Sequence, residues 1–230
     1  MKLQSILFLV LVPLGLFGQT IGDQQAKDDF WRIQQRNNNG PLIELSYSSI
    51  EGTPYVNSSF QTGQIFTKEN NLYGSFPLRY NVYTDNFEFR QSNQKVLELN
   101  APGMIGKIKL DDTTFIYAPY AVKDGWRNGF FQLINSGKAE ALIRYRVDFM
   151  KATPVGAYQD AQPARFSSIE KEFYVRFGKD HPAVKIFKNS DFIKALPDKK
   201  AEIIKFMKKE RIRAAKENDL LKLVNYYNSL

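Results

Sequence analysis

The chain has 230 residues with 18 Phe and 12 Tyr, contains no Cys, and carries a formal net charge of +8 at pH 7. The absence of Cys excludes disulfides, thiolate metal sites, thiol nucleophiles and a lipid anchor attached through cysteine. The fold must therefore depend on an apolar core, which the aromatic side chains can supply because each buries a large area.

A secretion signal is predicted at the N-terminus. Lys2 gives a short positive segment, residues 6–17 form an apolar run, and Gly18 offers a cleavage site before Gln19. The run is shorter than the roughly 20 residues that cross a hydrocarbon core, so a cleaved signal is favoured over a membrane anchor. We expect residues 1–18 to be removed on export to the periplasm, the outer-membrane periphery or the extracellular space.

The mature chain is predicted to begin with a polar leader over residues 19–40 and to continue as a β-rich domain over residues 41–188. Short runs of aromatic and β-branched residues alternate there with turn signals, such as Asn70-Asn71 and Asp111-Asp112. Residues 139–150 alternate most clearly, with Ala141, Ile143 and Tyr145 on one face and Glu140, Leu142 and Arg144 on a face predicted to meet water. Residues 152–168 are expected to form a long loop.

This pattern predicts an α+β fold, mainly an antiparallel β-sheet with the topology of a sandwich or a barrel-like meander. A small C-terminal helical segment, residues 189–230, completes it. Helical spacing there predicts helices over residues 191–196, about 197–215 and about 219–227.

The positive charge is concentrated near the C-terminus. Residues 185–230 contain twelve Lys and Arg against six Asp and Glu, a net +6. Four of these cations recur at helical spacing and are predicted to form one basic face: Lys205, Lys209, Arg213 and Lys216. That face has three open interpretations: a solvated helix surface, a contact with an anionic partner or membrane surface, or a nucleic-acid contact, which export disfavours.

Few residues point to catalysis. His181 is the only histidine and lies in a predicted turn, which limits a catalytic triad or a two-histidine metal site to one position. The chain has neither a phosphate-binding loop nor the spaced glycines of a dinucleotide site, so no cofactor or metal is predicted. A pair of catalytic carboxylates can come from anywhere in a fold and stays open.

Two aromatic groups are candidate partner-binding surfaces. The first combines Tyr55, Asn57 and Arg79, where the guanidinium could accept a carboxylate or phosphate. The second combines Tyr120 and Trp126. In the alternative interpretation the rings belong to the core and Arg79 pairs internally.

Several motifs together resemble uncharacterised secreted β-rich proteins of Bacteroidota. They are the Phe17-Gly18-Gln19 junction, the stretch from Gly52 to Gly63, the block from Pro77 to Tyr83 and the Asn225-Tyr226-Tyr227-Asn228 tail. The resemblance implies export to the periplasm or cell envelope. It implies no catalytic or binding residues.

The leading hypothesis is therefore a non-enzymatic envelope protein that binds a protein, peptide or glycan partner. Two alternatives are a carboxylate-dependent hydrolase of envelope polymers and a peripheral binder of an anionic lipid surface. No nucleic-acid partner is expected.

Overall fold

The structure, a computed structural model, describes Arg32, Tyr47 and residues 50–91, 95–100, 102–155 and 160–230. The predicted signal over residues 1–18 lies outside the described residues, and so does the leader over residues 19–40 apart from Arg32. Residues 156–159 of the predicted long loop also lie outside them.

The predicted antiparallel β-rich fold with C-terminal helices is confirmed: ten strands form one curled half-barrel sheet. Two further short strands pair with each other. The strands are β1 (Gln61–Thr67), β2 (Leu72–Asn81), β3 (Asn86–Arg90), β4 (Val96–Glu98), β5 (Ile105–Leu110), β6 (Thr113–Val122), β7 (Gly125–Leu133), β8 (Ala139–Arg146), β9 (Phe149–Met150), β10 (Arg165–Phe166), β11 (Glu170–Phe177) and β12 (Val184–Lys185). A short 3-10 helix, Pro102–Met104, precedes β5.

The large sheet has the order β12-β11-β8-β7-β6-β5-β1-β2-β3-β4, and β9 pairs with β10. All neighbouring strands are antiparallel, so the chain makes one meander through β1 to β4 and a second from β5 onward. The second meander begins beside the first because β5 pairs with β1. It also curls back on itself, since Ala183 bridges to Tyr120 of β6 in the parallel direction.

The helices are α1 (Asn189–Ala195), α2 (Lys200–Lys209) and α3 (Glu217–Ser229). They pack on the sheet through one cluster of buried residues that includes Ala139 and Ala141 of β8 and Val175 of β11. The main core takes side chains from both meanders. Phe87 of β3 meets Phe115 of β6 and Phe130 of β7 there, with ring centroids 5.2 Å and 5.0 Å from its own.

Strand β8 corrects the sequence prediction for residues 139–150. The strand ends at Arg146, and Glu140 and Leu142 are buried instead of facing water. The reason is that β8 is covered on both faces. Helices cover one face, and a third cluster that includes Phe131 and Tyr174 covers the other.

Helix α2 also differs from the prediction, because it ends at Lys209 and not near residue 215. Arg211 adopts a left-handed conformation with φ of 53°. The Ile212 N–H then donates to the Met207 carbonyl at 3.0 Å, and the Arg211 N–H donates to the Lys208 carbonyl. This is a Schellman ending, and it turns the chain out of the helix so that Ile212 packs in the same cluster as Met207.

Candidate functional site

The strongest candidate site is an open groove between the start of α1 and the segment that follows α2. We call it the basic groove and define it by its six lining residues: Phe187, Lys188, Asn189, Arg213, Ala215 and Lys216. Its volume is about 540 Å³. This is within the range of roughly 300–1,000 Å³ that is common for small-molecule sites.

Asn189 holds the two walls of the basic groove together. Its side-chain amide donates to the Ile212 carbonyl at 2.8 Å, and its side-chain oxygen accepts from the Ala214 N–H at 2.8 Å. A further hydrogen bond fixes the backbone of Arg213, which lies between Ile212 and Ala214: its N–H donates to Asp219 Oδ2 at 2.8 Å. Ile212 and Ala214 are buried, so the alternating residues Arg213 and Ala215 line the groove.

Three cations surround the basic groove: Lys188, Arg213 and Lys216. All three are exposed, and in the part of the chain that the structure describes none of them forms an ion pair. The nearby carboxylate of Asp191 is engaged with backbone, since its Oδ2 accepts from the N–H groups of Phe187 and Lys188 at 3.0 Å. The groove therefore presents positive charge that can pair with an anionic ligand.

Phe187 adds an apolar surface to the basic groove. The residue is 69% exposed, whereas phenylalanine is among the residues most often fully buried. The ammonium of Lys185 lies 4.5 Å from the ring centroid and also pairs with Glu172 at 2.6 Å, which holds this cation against the ring. An exposed ring beside unpaired cations can bind a ligand that carries both an apolar and an anionic group.

The four cations that the sequence predicts on one helix face are divided between the helix and the segment that follows it. Lys205 and Lys209 lie exposed on α2, whereas Arg213 and Lys216 follow the end of that helix and line the basic groove. The Schellman ending separates the two pairs. The prediction also missed Phe187 and Lys188, which precede α1 and carry no periodic signal.

Tyr55 and Arg79, predicted as surface residues, belong instead to an internal network around Glu88. The Arg79 Nε donates to Glu88 Oε2 at 2.7 Å, and the Tyr55 hydroxyl donates to Glu88 Oε1 at 3.0 Å. The amide of Asn81 also donates to Oε1, at 2.9 Å. The Arg79 guanidinium lies 4.0 Å from the Tyr55 ring centroid, so the internal pairing kept open by the sequence is the one observed.

Burial and the negative charge of Glu88 raise the pKa of Tyr55 well above its ordinary value of 10.0. The Tyr55 hydroxyl therefore stays protonated and remains a donor to Glu88 at every physiological pH. Tyr55 and Glu88 are both buried, which identifies this network as a device that fixes the loop before β1 against β2 and β3.

The other three predicted residues differ in burial: Tyr120 is buried, whereas Trp126 and Asn57 are exposed. Tyr120 is buried in the third cluster, with the Arg144 guanidinium 4.9 Å from its ring centroid. Trp126 lies at the tip of the β6–β7 hairpin and is 65% exposed. Asn57 is exposed in the loop before β1, where its side-chain oxygen accepts from the Ser59 N–H at 3.0 Å.

Among the described residues, no group of three or more His, Cys, Asp or Glu side chains is arranged to hold a metal ion. His181 is exposed in a turn, as expected, with its N–H donating to the Gly178 carbonyl. Across the ranges described above, no helix has the length and apolar character needed to cross a bilayer.

Comparison with known protein families, with curated proteins and with solved structures finds no match to this chain.

Proposed function

We propose that this protein is exported to the cell envelope and works there as a non-enzymatic binding protein. In this proposal the basic groove holds an acidic peptide segment of an envelope partner protein. The observation that carries the proposal is the combination of three unpaired cations, Lys188, Arg213 and Lys216, with the exposed ring of Phe187 in one groove.

The shape of the groove favours a chain segment as its ligand. Lys188 and Phe187 stand at the start of α1, and Arg213 and Lys216 stand on the opposite segment, so a ligand between them is contacted from two sides. A planar, forked guanidinium such as that of Arg213 binds a carboxylate with two parallel hydrogen bonds. An aromatic or aliphatic side chain of the same segment can then cover Phe187.

The chemistry of the lining supports binding more than catalysis. The six residues supply cations, one amide and apolar surface, and the amide of Asn189 is already engaged in holding the loop. These groups orient and neutralise an anionic ligand. Proton transfer is most often carried out by a His or a carboxylate, and the six lining residues include neither.

Export is supported by the sequence of residues 1–18, with its short positive start and apolar run. The test is to fractionate cells that make the C-terminally tagged protein and to measure the mass of the purified chain. We expect recovery from the envelope or the medium with residues 1–18 missing. Recovery of the uncleaved chain from the cytoplasm would contradict the proposal.

The partner is tested by mild cross-linking and affinity purification of the tagged protein from native envelopes. The groove variant is Lys188→Glu/Arg213→Glu/Lys216→Glu. The matched control, with the same change in net charge, is Lys194→Glu/Lys205→Glu/Lys209→Glu, because these three lysines are exposed outside the groove lining. We expect a stoichiometric protein partner with the wild type and the control, and its loss with the groove variant. Recovery of the same partner with all three, or of no partner at all, would reject the groove as the binding site.

A further inference from the structure

A second recess opens at the mouth of the half-barrel, far along the sequence from the basic groove and lined by none of its residues. We call it the mouth recess. It lies between the loop before β1, the first residue of β1 and the β5–β6 turn, and it encloses about 110 Å³. Mouths of β-barrels are frequent ligand sites.

The floor of the mouth recess is aromatic and apolar. Tyr80, Phe115 and Tyr145 contribute to it, with the Tyr80 and Phe115 ring centroids 5.3 Å apart. Both tyrosine hydroxyls are engaged outside the recess. The Tyr80 hydroxyl donates to Asp85 Oδ1 at 2.6 Å and the Tyr145 hydroxyl donates to Gln132, and neither acceptor lines the recess.

The rim of the mouth recess is polar and has unused hydrogen-bonding capacity. The Gln61 amide donates to Asp111 Oδ2, and the Asn57 side-chain oxygen accepts from the Ser59 N–H. Within the described ranges, no hydrogen bond uses the Asn57 amide nitrogen, the Gln61 side-chain oxygen or Asp111 Oδ1. The rim thus offers one donor and two acceptors around an apolar floor.

The size of the recess sets the size of its ligand group. Pockets that enclose whole small molecules measure roughly 300–1,000 Å³, so a recess of about 110 Å³ accepts one group of a larger ligand. The apolar floor and polar rim match a short group with a methyl at one end and an amide at the other. The donor and acceptors at the rim that the amide does not use can form hydrogen bonds with hydroxyl groups elsewhere in the same ligand.

We propose that the mouth recess binds the acetamido group of an N-acetylated sugar, with the methyl on the aromatic floor and the amide at the rim formed by Asn57, Gln61 and Asp111. This site is independent of the acidic segment proposed for the basic groove. A protein with both sites contacts a glycan and a protein partner through separate surfaces.

The experiment titrates the purified full chain with the trimer of N-acetylglucosamine and, as the matched ligand, with cellotriose, which carries a hydroxyl in place of each acetamido group. Binding is followed by isothermal calorimetry. We expect the acetylated trimer to bind at least about tenfold more tightly than cellotriose. Equal affinities, or no heat from either trimer, would overturn the proposal and leave a recess that holds only water.

Variants locate the binding. Gln61→Ala and Asn57→Ala remove rim groups and are expected to weaken binding of the acetylated trimer by about tenfold or more. Gln64→Ala is the control, since Gln64 is exposed on the same strand but does not line the recess. Circular dichroism checks that each variant is folded. If Gln61→Ala and Asn57→Ala bind like Gln64→Ala, the sugar binds elsewhere and the assignment is wrong.

The same titration of the groove variant Lys188→Glu/Arg213→Glu/Lys216→Glu separates the two proposals. We expect it to bind the acetylated trimer as the wild type does, even where it has lost the protein partner. Loss of sugar binding in this folded variant would contradict a separate site at the barrel mouth.

Discussion

The most informative single residue for stability is Arg176, which is paired with Glu140 between β11 and β8. The Arg176 Nε donates to Glu140 Oε2 at 2.6 Å, and the two side chains are only 8% and 4% exposed. Arg176→Met would leave the Glu140 carboxylate buried without its partner. We expect the free energy of unfolding to fall by about 3–5 kcal/mol, measured by urea denaturation.

The control for this prediction is Arg146→Met. Arg146 pairs with Asp148 at 3.1 Å, but the two side chains are 52% and 61% exposed, so solvent screens the pair. We expect its unfolding midpoint to stay within error of the wild type. If Arg176→Met and Arg146→Met shift the urea unfolding midpoint equally, breaking the buried Glu140–Arg176 pair costs no more stability than breaking an exposed pair, and the prediction is wrong.

At the scale of elements, the junction of the two meanders depends on Gly106 of β5. A Cβ at this position would lie 2.1 Å from the Thr67 carbonyl oxygen and 2.9 Å from the Lys68 Cα, both of them backbone atoms. Gly106→Ala must therefore push β5 away from the end of β1, at a cost of about 1–3 kcal/mol typical of overpacking. The loss is measured by thermal unfolding.

Gly103 provides the matched control, because a Cβ there meets nothing within 4 Å. Gly103→Ala should change the melting temperature little. A comparable loss in the two variants would mean that the β1–β5 contact tolerates a methyl group and that the close approach is not structurally important.

The docking of α3 has a pH dependence that can be measured. The Tyr227 hydroxyl donates to Asp198 Oδ1 at 2.7 Å, and burial, followed by this carboxylate, raises the pKa of Tyr227 to about 12. An unfolded tyrosine ionises near about pH 10. Since the folded pKa is the higher one, the stabilising contribution is complete below about pH 10 and is lost as pH rises through about 12.

Tyr227→Phe removes this ionisation. Between about pH 10 and about pH 12, the free energy of unfolding of this variant should therefore decrease less than that of the wild type. Urea denaturation at successive pH values measures it. Parallel stability curves for the wild type and Tyr227→Phe would show that Tyr227 does not contribute to the alkaline loss of stability.

Turn chemistry explains why so much of the sheet is predictable from sequence. Asn70, Asp85 and Asp111 all adopt positive φ, at 68°, 51° and 50°, as Asn and Asp do readily in tight turns. Asn70 and Asp111 lie at predicted turns between strands that do pair, β1 with β2 and β5 with β6. Asp85 lies at the turn between β2 and β3, which also pair. Local residue preference and tertiary structure agree at these positions.

The basic groove was only partly predictable, for a physical reason. A left-handed residue at a helix end is usually Gly, but here it is Arg211, so the sequence carries no stop signal and the helix was predicted to continue. Phe187 and Lys188 lie beside the segment after α2 because Asn189 binds the backbone of Ile212 and Ala214 and because Ile186 packs in the same cluster as Ile212. Contacts between residues this far apart leave no local pattern.

At the scale of the whole molecule, charge is distributed unevenly between the sheet and the helices. Residues 185–230 carry twelve Lys and Arg against six Asp and Glu, a net +6 out of the +8 of the chain. The positive electrostatic field of this segment attracts any anionic ligand, so net charge alone does not identify a binding site. Attraction through the overall field is screened within about 8–10 Å near physiological ionic strength, whereas direct pairing in a groove is screened less.

The most direct test of the central claim is therefore a titration that separates the groove from the general charge. A fluorescein-labelled synthetic peptide of alternating Glu and Phe is titrated with the wild type, the groove variant and the control variant Lys194→Glu/Lys205→Glu/Lys209→Glu. Fluorescence anisotropy at near-physiological salt reports binding. The two variants have the same net charge, so they differ only in where the positive charge was removed.

We expect the groove variant to lose at least about tenfold in affinity and the control variant to stay within about threefold of the wild type. Equal losses in the two variants would show that the peptide responds only to overall charge. Absence of binding by the wild type would show that the groove does not accept an acidic segment, and either result would contradict the proposed function.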